Sequence, residues 1–180
     1  MRWIWLGLWL VLCFGVAGIS GRWTAGEIPG WYQTLVRPKI APPNWVFGPV
    51  WTLLYALMAI AAWQVGMSTP SPLQTWGLAL FLVQLALNFL WSWIFFKRHA
   101  IGAALVEVLV LWASIGATTL VFAWISPVAA WLMAPYLALG KLCQPAERGV
   151  LAFELAGPRP GRDSGEFLRS NNFVAPTRVG

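Results

Sequence analysis

Read for its apolar runs, the chain divides into five long stretches separated by polar breaks. A membrane-crossing helix needs about 20 mainly apolar residues. The pattern predicts spans at Trp3–Ser20, Phe47–Met67, Leu73–Phe96, Ile101–Trp124 and Val128–Leu142. Between them lie Gly21–Val46, the turn Ser68–Pro72, the basic corner Lys97-Arg98-His99 and the tight turn Ile125-Ser126-Pro127. Only the first break is long enough to do more than connect. The short connections place spans two to five antiparallel beside one another, an all-α integral membrane fold built as a five-transmembrane-helix bundle. The first stretch is long and Trp-rich, with no small-residue cleavage site after it. It is therefore expected to be a retained span rather than a signal peptide.

Composition turns this pattern into a solvent requirement. Hydrophobic residues make up 59% of the chain and charged ones 10%, far outside the soluble range. Six of the twelve Lys/Arg and four of the six acids follow Ala138, so the body upstream is nearly charge-free and needs lipid around it. The sequence pI near 10.0 reflects charges at helix ends and in a tail, which read as topology signals; no nucleic-acid partner is expected. Arg22, Arg37 and Lys39 in the first loop, Lys97 and Arg98 in the third, and Lys141 and Arg148 near the C-terminus face only Arg2 on the other side. The positive-inside rule places those loops and the C-terminus in the cytoplasm and the N-terminus outside, in the frame of a bacterial inner membrane.

Several kinds of chemistry find no support. Cys13 and Cys143 are isolated, giving neither a disulfide framework nor a metal site. His99, the single histidine, reads as an interfacial loop residue, since no metal ligand set accompanies it. There is no phosphate loop, no Ser/His/Asp arrangement and no internal repeat. Two other features carry more. Pro42–Tyr55 runs from a proline-stiffened loop into an apolar helix, a rigid aromatic ledge suited to a flat apolar ligand. On it Trp51 and Tyr55 lie four apart, on one helical face. Asn88 sits mid-span, where an unsatisfied amide is costly, so it should meet a ligand or bond to another helix. Glu107 is the one acid inside the apolar body; a salt bridge to Lys97 or Arg98 is expected, with a ligand or proton role as the alternative.

Beyond these features, Trp31-Tyr32, Arg37-Pro38, Pro42-Pro43, the run Trp45–Tyr55 (WVFGPVWTLLY), the run Leu87–Phe96 (LNFLWSWIFF) and Pro135–Ala138 resemble the tryptophan-rich sensory protein/translocator protein family. This is the TspO/MBR, or peripheral-type benzodiazepine receptor, family, and the motifs occur in its order and spacing over residues 1–138. The resemblance implies five transmembrane helices, a homodimer and a ligand pocket under the first loop. It implies tetrapyrrole ligands such as protoporphyrin IX or haem, with sterols or benzodiazepine-type ligands in some members, and no required cofactor. The expected role is a membrane sensor or translocator regulating porphyrin metabolism or stress responses. The alternatives are a light-dependent porphyrin-degrading enzyme and a non-functional member with a disrupted fifth helix.

Carried over by position, Trp31, Tyr32, Trp51, Asn88 and Trp91 would line the pocket, joined by the ledge residues Pro42, Pro43, Trp45, Phe47 and Tyr55. Arg37 and Lys39 would pair with propionates or serve only as topology charges. Gly77 and Phe81 match a family dimer seam of the small-x-x-x-Phe kind. No catalytic residue and no metal ligand is assigned, and Trp3, Trp5, Trp23, Trp124 and Trp131 read as interface anchors.

The chain leaves the family pattern after Ala138. The family expects a Trp at position 139 and the rest of an apolar fifth helix. Here Leu139, Gly140, Lys141, Pro145 and Glu147 oppose its continuation. One permitted codon choice for Leu139–Glu154, read one base later, spells the expected ending, Trp-Val-Ser-Phe-Ala-Ser-Leu-Leu-Asn-Ala-Ala-Phe-Trp-Arg-Leu-Asn. The expectation is a membrane domain over 1–142 and a divergent, frameshift-derived, disordered tail over 143–180. Leu132, Tyr136 and Lys141 also fit a loose cholesterol-contact pattern. Weaker porphyrin binding is expected to follow from the altered terminus; gene sequencing tests the frameshift.

Overall fold

The computed structural model describes residues 2–27, 37–38, 44–139 and 173–174, with side chains for 2–27 and 48–139. Five helices follow one another: α1 Arg2–Glu27, α2 Asn44–Gly66, α3 Pro72–Phe96, α4 Ile101–Ile125 and the shorter α5 Pro127–Leu139. The first four are long and apolar enough to cross a membrane; at 1.5 Å per residue, 25 residues reach about 37 Å. The chain is an all-α integral membrane bundle. The described exception is a two-residue antiparallel ladder, β1 (Arg37–Pro38) on β2 (Phe173–Val174), which pairs Arg37 with Val174 and Pro38 with Phe173. The expected domain boundary at 142 and the rest of the tail lie outside the described residues.

The helix ends differ from the expected spans for local reasons. The helix α1 runs on through Gly21 and Arg22 to Glu27, so Arg22 belongs to a helix and not to the first loop. No proline interrupts Gly21–Glu27, and Trp23 gives this turn something to bury. Its ring lies 5.1 Å from that of Phe89 and packs on the cluster of Phe95, Phe96, Ile101 and Ala104. Likewise α2 starts at Asn44 rather than Phe47, just past Pro42-Pro43. At the far end of α2, Gln74 Nε2 donates to the carbonyls of Val65, Gly66 and Ser68 at 3.0, 3.2 and 3.3 Å. Val65 and Gly66 close α2, where carbonyls are left without intrahelical partners, and Ser68 lies just beyond it. Ser71 then caps α3, accepting from the Gln74 N–H at 3.1 Å, and Pro72 opens the helix where a missing N–H costs nothing.

The core is shared by all five helices. Cys13 of α1, Met58 and Ala62 of α2, Phe81 of α3, Ile115 and Phe122 of α4, and Met133 of α5 are essentially inaccessible. In this core α1 packs against α2 and α3, and α3 packs against α4. The α3–α4 approach is set by Gly77: a Cβ there would stand 3.1 Å from Val121 Cγ1 and 3.4 Å from atoms of Phe122 and Ile125.

Phe81 stacks on Phe122 with centroids 6.1 Å apart and meets Trp9 edge-on at 5.5 Å. Gly77 and Phe81, expected at a dimer seam, thus pack against α4 and α1 of their own chain. Both residues are buried and serve close packing inside one protomer, where the same small-x-x-x-Phe spacing meets a helix of its own chain.

A candidate ligand-binding cavity

A cavity of about 440 Å³ opens between α1, α2 and α3, at the end where α1 stops and α2 begins. That volume is within the range of small-molecule sites. Its α1 wall is made of Ala17, Ser20, Gly21, Thr24 and Ala25, which recur at helical spacing and form one narrow stripe. All are small, and a Cβ at Gly21 would meet nothing within 4 Å. The opposing wall is aromatic: Trp51, Tyr55, Trp91 and Phe96. Trp51 and Tyr55 face the cavity one turn apart, with ring centroids at 6.0 Å. Trp91 is braced from behind by stacking on Phe95 at 5.4 Å and by the edge of Phe96 at 6.0 Å. The described lining carries no charged side chain. A slot with one flat wall and one small-residue wall accommodates a planar apolar body.

The floor is polar and tied together. The Tyr55 O–H donates to Asn88 Oδ1, and Asn88 Nδ2 donates to Tyr136 Oη at 2.6 Å. The three side chains are 3%, 1% and 2% exposed, so a single bridge joins α2, α3 and α5 where lipid offers no substitute partner. The Tyr136 ring also meets Trp51 edge-on at 6.4 Å. Behind Trp51, Asn88 and Trp91 a smaller space of about 30 Å³ is edged by Leu111, Tyr136 and Leu139. Leu139 edges this smaller space and not the large cavity.

Of the residues expected at the site, Trp51, Tyr55, Asn88 and Trp91 come together on this cavity. Asn88 also bonds across helices, so its two expected roles coexist. Trp31, Tyr32, Lys39, Pro42 and Pro43 lie outside the described residues. Arg37 is described as backbone in β1, and Trp45 and Phe47 as backbone in the first turn of α2. Sequence reading missed Tyr136 and the α1 stripe. The signal for the first was a second mid-span hydroxyl in need of a partner; for the second it was small residues recurring at three- and four-residue spacing.

The expected Glu107 salt bridge is not formed. Glu107 is 8% exposed, and both of its oxygens are buried without a hydrogen-bond partner. Arg98 instead lies over the Trp93 ring at 5.2 Å. The cause is position: Glu107 is six residues into α4, about 9 Å along its axis, on the buried stripe with Ala104 and Leu111. The contact found at this end joins His99 Nε2 to Glu27 Oε2 at 3.3 Å, from the α3–α4 corner to the end of α1. His99 takes a left-handed backbone there, with φ 51°.

These features define an integral membrane protein of five helices built around an aromatic-walled cavity. The chain belongs to the TspO/MBR family, whose profile matches residues 9–140. It is 38% identical over 133 residues to the tryptophan-rich protein TspO of Chlorobaculum tepidum, covering 73% of this chain and 84% of that one. It is 39% identical over 124 residues to the translocator protein of Homo sapiens, covering 67% and 72%. To protein CrtK of Rhodobacter capsulatus it is 38% identical over 126 residues, covering 69% and 79%.

Proposed function

We propose that this chain is a membrane sensor or translocator protein that binds a tetrapyrrole, protoporphyrin IX or haem, in the cavity between α1, α2 and α3. The observation that carries this reading is the slot itself, with Trp51 and Trp91 on one side and the small-residue stripe of α1 on the other. A planar macrocycle buries both faces in such a slot, and indole rings add stacking to area burial. The names of the relatives, translocator protein and tryptophan-rich sensory protein, favour a sensing or translocating role. A bacterial inner membrane, with the N-terminus outside and the C-terminus in the cytoplasm, completes the reading on the strength of the loop charges. The assembly is a homodimer, a state that the family resemblance favours.

The test is a titration of protoporphyrin IX against the purified chain, followed by the porphyrin absorption band, with wild type and Trp51→Phe compared. Saturable binding weakened about threefold or more by the substitution is expected, on the scale of one aromatic contact. Absence of saturable binding would overturn the proposal.

A further inference from the structure

The end of the bundle where α1 stops carries cations that no described acid answers. Lys97 and Arg98 are exposed at the α3–α4 corner. Among the described residues the acids are Glu27, which reaches His99, and Glu107, which is buried. Arg98 is held in place by other means: its guanidinium lies over the exposed ring of Trp93 at 5.2 Å. A guanidinium stacked by its face keeps its edge N–H donors, a fork that fits phosphate oxygens. Indole rings in turn settle at the headgroup level of a bilayer.

From this corner a groove runs between α1 and α3 on the outside of the bundle. Its floor is where the two helices touch, at Trp23 and Phe89. Ile19, exposed one turn before Trp23, stands on one side. Leu82, Ala86 and Trp93, exposed at helical spacing along α3, stand on the other. From Leu82 to Trp93 is eleven residues, about 16 Å along the helix. That length matches one leaflet of a hydrocarbon core about 30 Å thick.

We infer that this groove binds one anionic phospholipid, with its phosphate between Lys97 and Arg98 and an acyl chain running past Phe89 to Leu82. Apolar surface alone does not single the groove out, since every outward face of the bundle is apolar. The charges do: among the described residues, two adjacent cations without an acid partner occur only at this corner. None of these residues lines the large cavity, so the inference is independent of the cavity reading.

The full chain is titrated in detergent micelles with phosphatidylglycerol or phosphatidylcholine of matched chains, and bound lipid is counted by native mass spectrometry. Each cation near an anionic lipid surface is worth about fivefold in affinity, so wild type should hold the first phosphatidylglycerol about tenfold or more tighter. Lys97→Gln should lose about fivefold of that preference. The Lys97→Gln, Arg98→Gln double variant should lose all of it, with phosphatidylcholine affinity unchanged. Arg2→Gln, at the opposite end, should keep it. Equal affinity of wild type for the two lipids overturns the inference. A preference that survives the double variant belongs to other cations and overturns it too, as does equal loss with Arg2→Gln, which marks net charge alone. Glycerol phosphate, a headgroup without chains, should not compete at the lipid's concentration; full competition marks a free-phosphate site and overturns the lipid. A dimer that binds no phosphatidylglycerol, its groove covered by a second copy, overturns it as well.

Discussion

Replacing Gly77 with leucine asks whether this position packs inside the protomer or between protomers. A Cβ at Gly77 already meets Val121 Cγ1 at 3.1 Å, with Phe122 and Ile125 at 3.4 Å, so alanine forces these neighbours back by a few tenths of an ångström. Alanine also gains about 0.8–1.0 kcal/mol of helix propensity over glycine, which offsets much of that crowding. The net change for Gly77→Ala is therefore within about 1 kcal/mol of zero. Leucine has a similar propensity but must place three more carbons between α3 and α4, in the range of about 1–3 kcal/mol or more for overpacking. After the propensity gain, Gly77→Leu should still lose about 1–2 kcal/mol. Reversible unfolding in mixed micelles, with the oligomeric state followed by light scattering, separates the cases. A leucine variant of wild-type stability but altered oligomeric state would refute the packing of Gly77 against α4 of its own protomer and restore the dimer seam.

Other perturbations read other parts of the bundle. Gln74→Ala removes three bonds from the C-terminus of α2 and the support of the α2–α3 turn; a loss of about 1 kcal/mol is expected by the same unfolding assay. Glu107→Leu replaces a carboxyl group that is buried without a partner by an apolar side chain of similar size, and thermal stability should rise rather than fall. Gly21→Leu projects into the cavity, where a Cβ meets nothing. It should abolish porphyrin binding in the absorption titration while leaving the chain at least as stable as wild type, since helix propensity favours leucine over glycine by up to about 1 kcal/mol.

The membrane fold was legible because lipid imposes a simple rule: long apolar runs must be helices, and short polar breaks make neighbours antiparallel. Trp51, Asn88 and Trp91 could be placed together through their motifs. The remainder depends on partners that no local pattern names. The end of α1 was underestimated because Arg22 and Glu27 look like loop residues, whereas Trp23 between them has Phe89 to pack on. Gly77 announces close approach but not which helix approaches. Tyr136 bonds a residue 48 positions away, a distance that sequence periodicity does not span. For Glu107, proximity to Lys97 and Arg98 along the chain suggested a pair that helical rotation prevents.

The Tyr55–Asn88–Tyr136 bridge also bears on how far a change on α5 is felt. The fully buried side chains that α5 gives to the described interior are Ala129, Met133 and Tyr136, with Leu132, Leu137 and Leu139 packed against them in part. A substitution at Tyr136 is therefore felt on α2 and α3 as well as on α5, because one amide ties the three helices together.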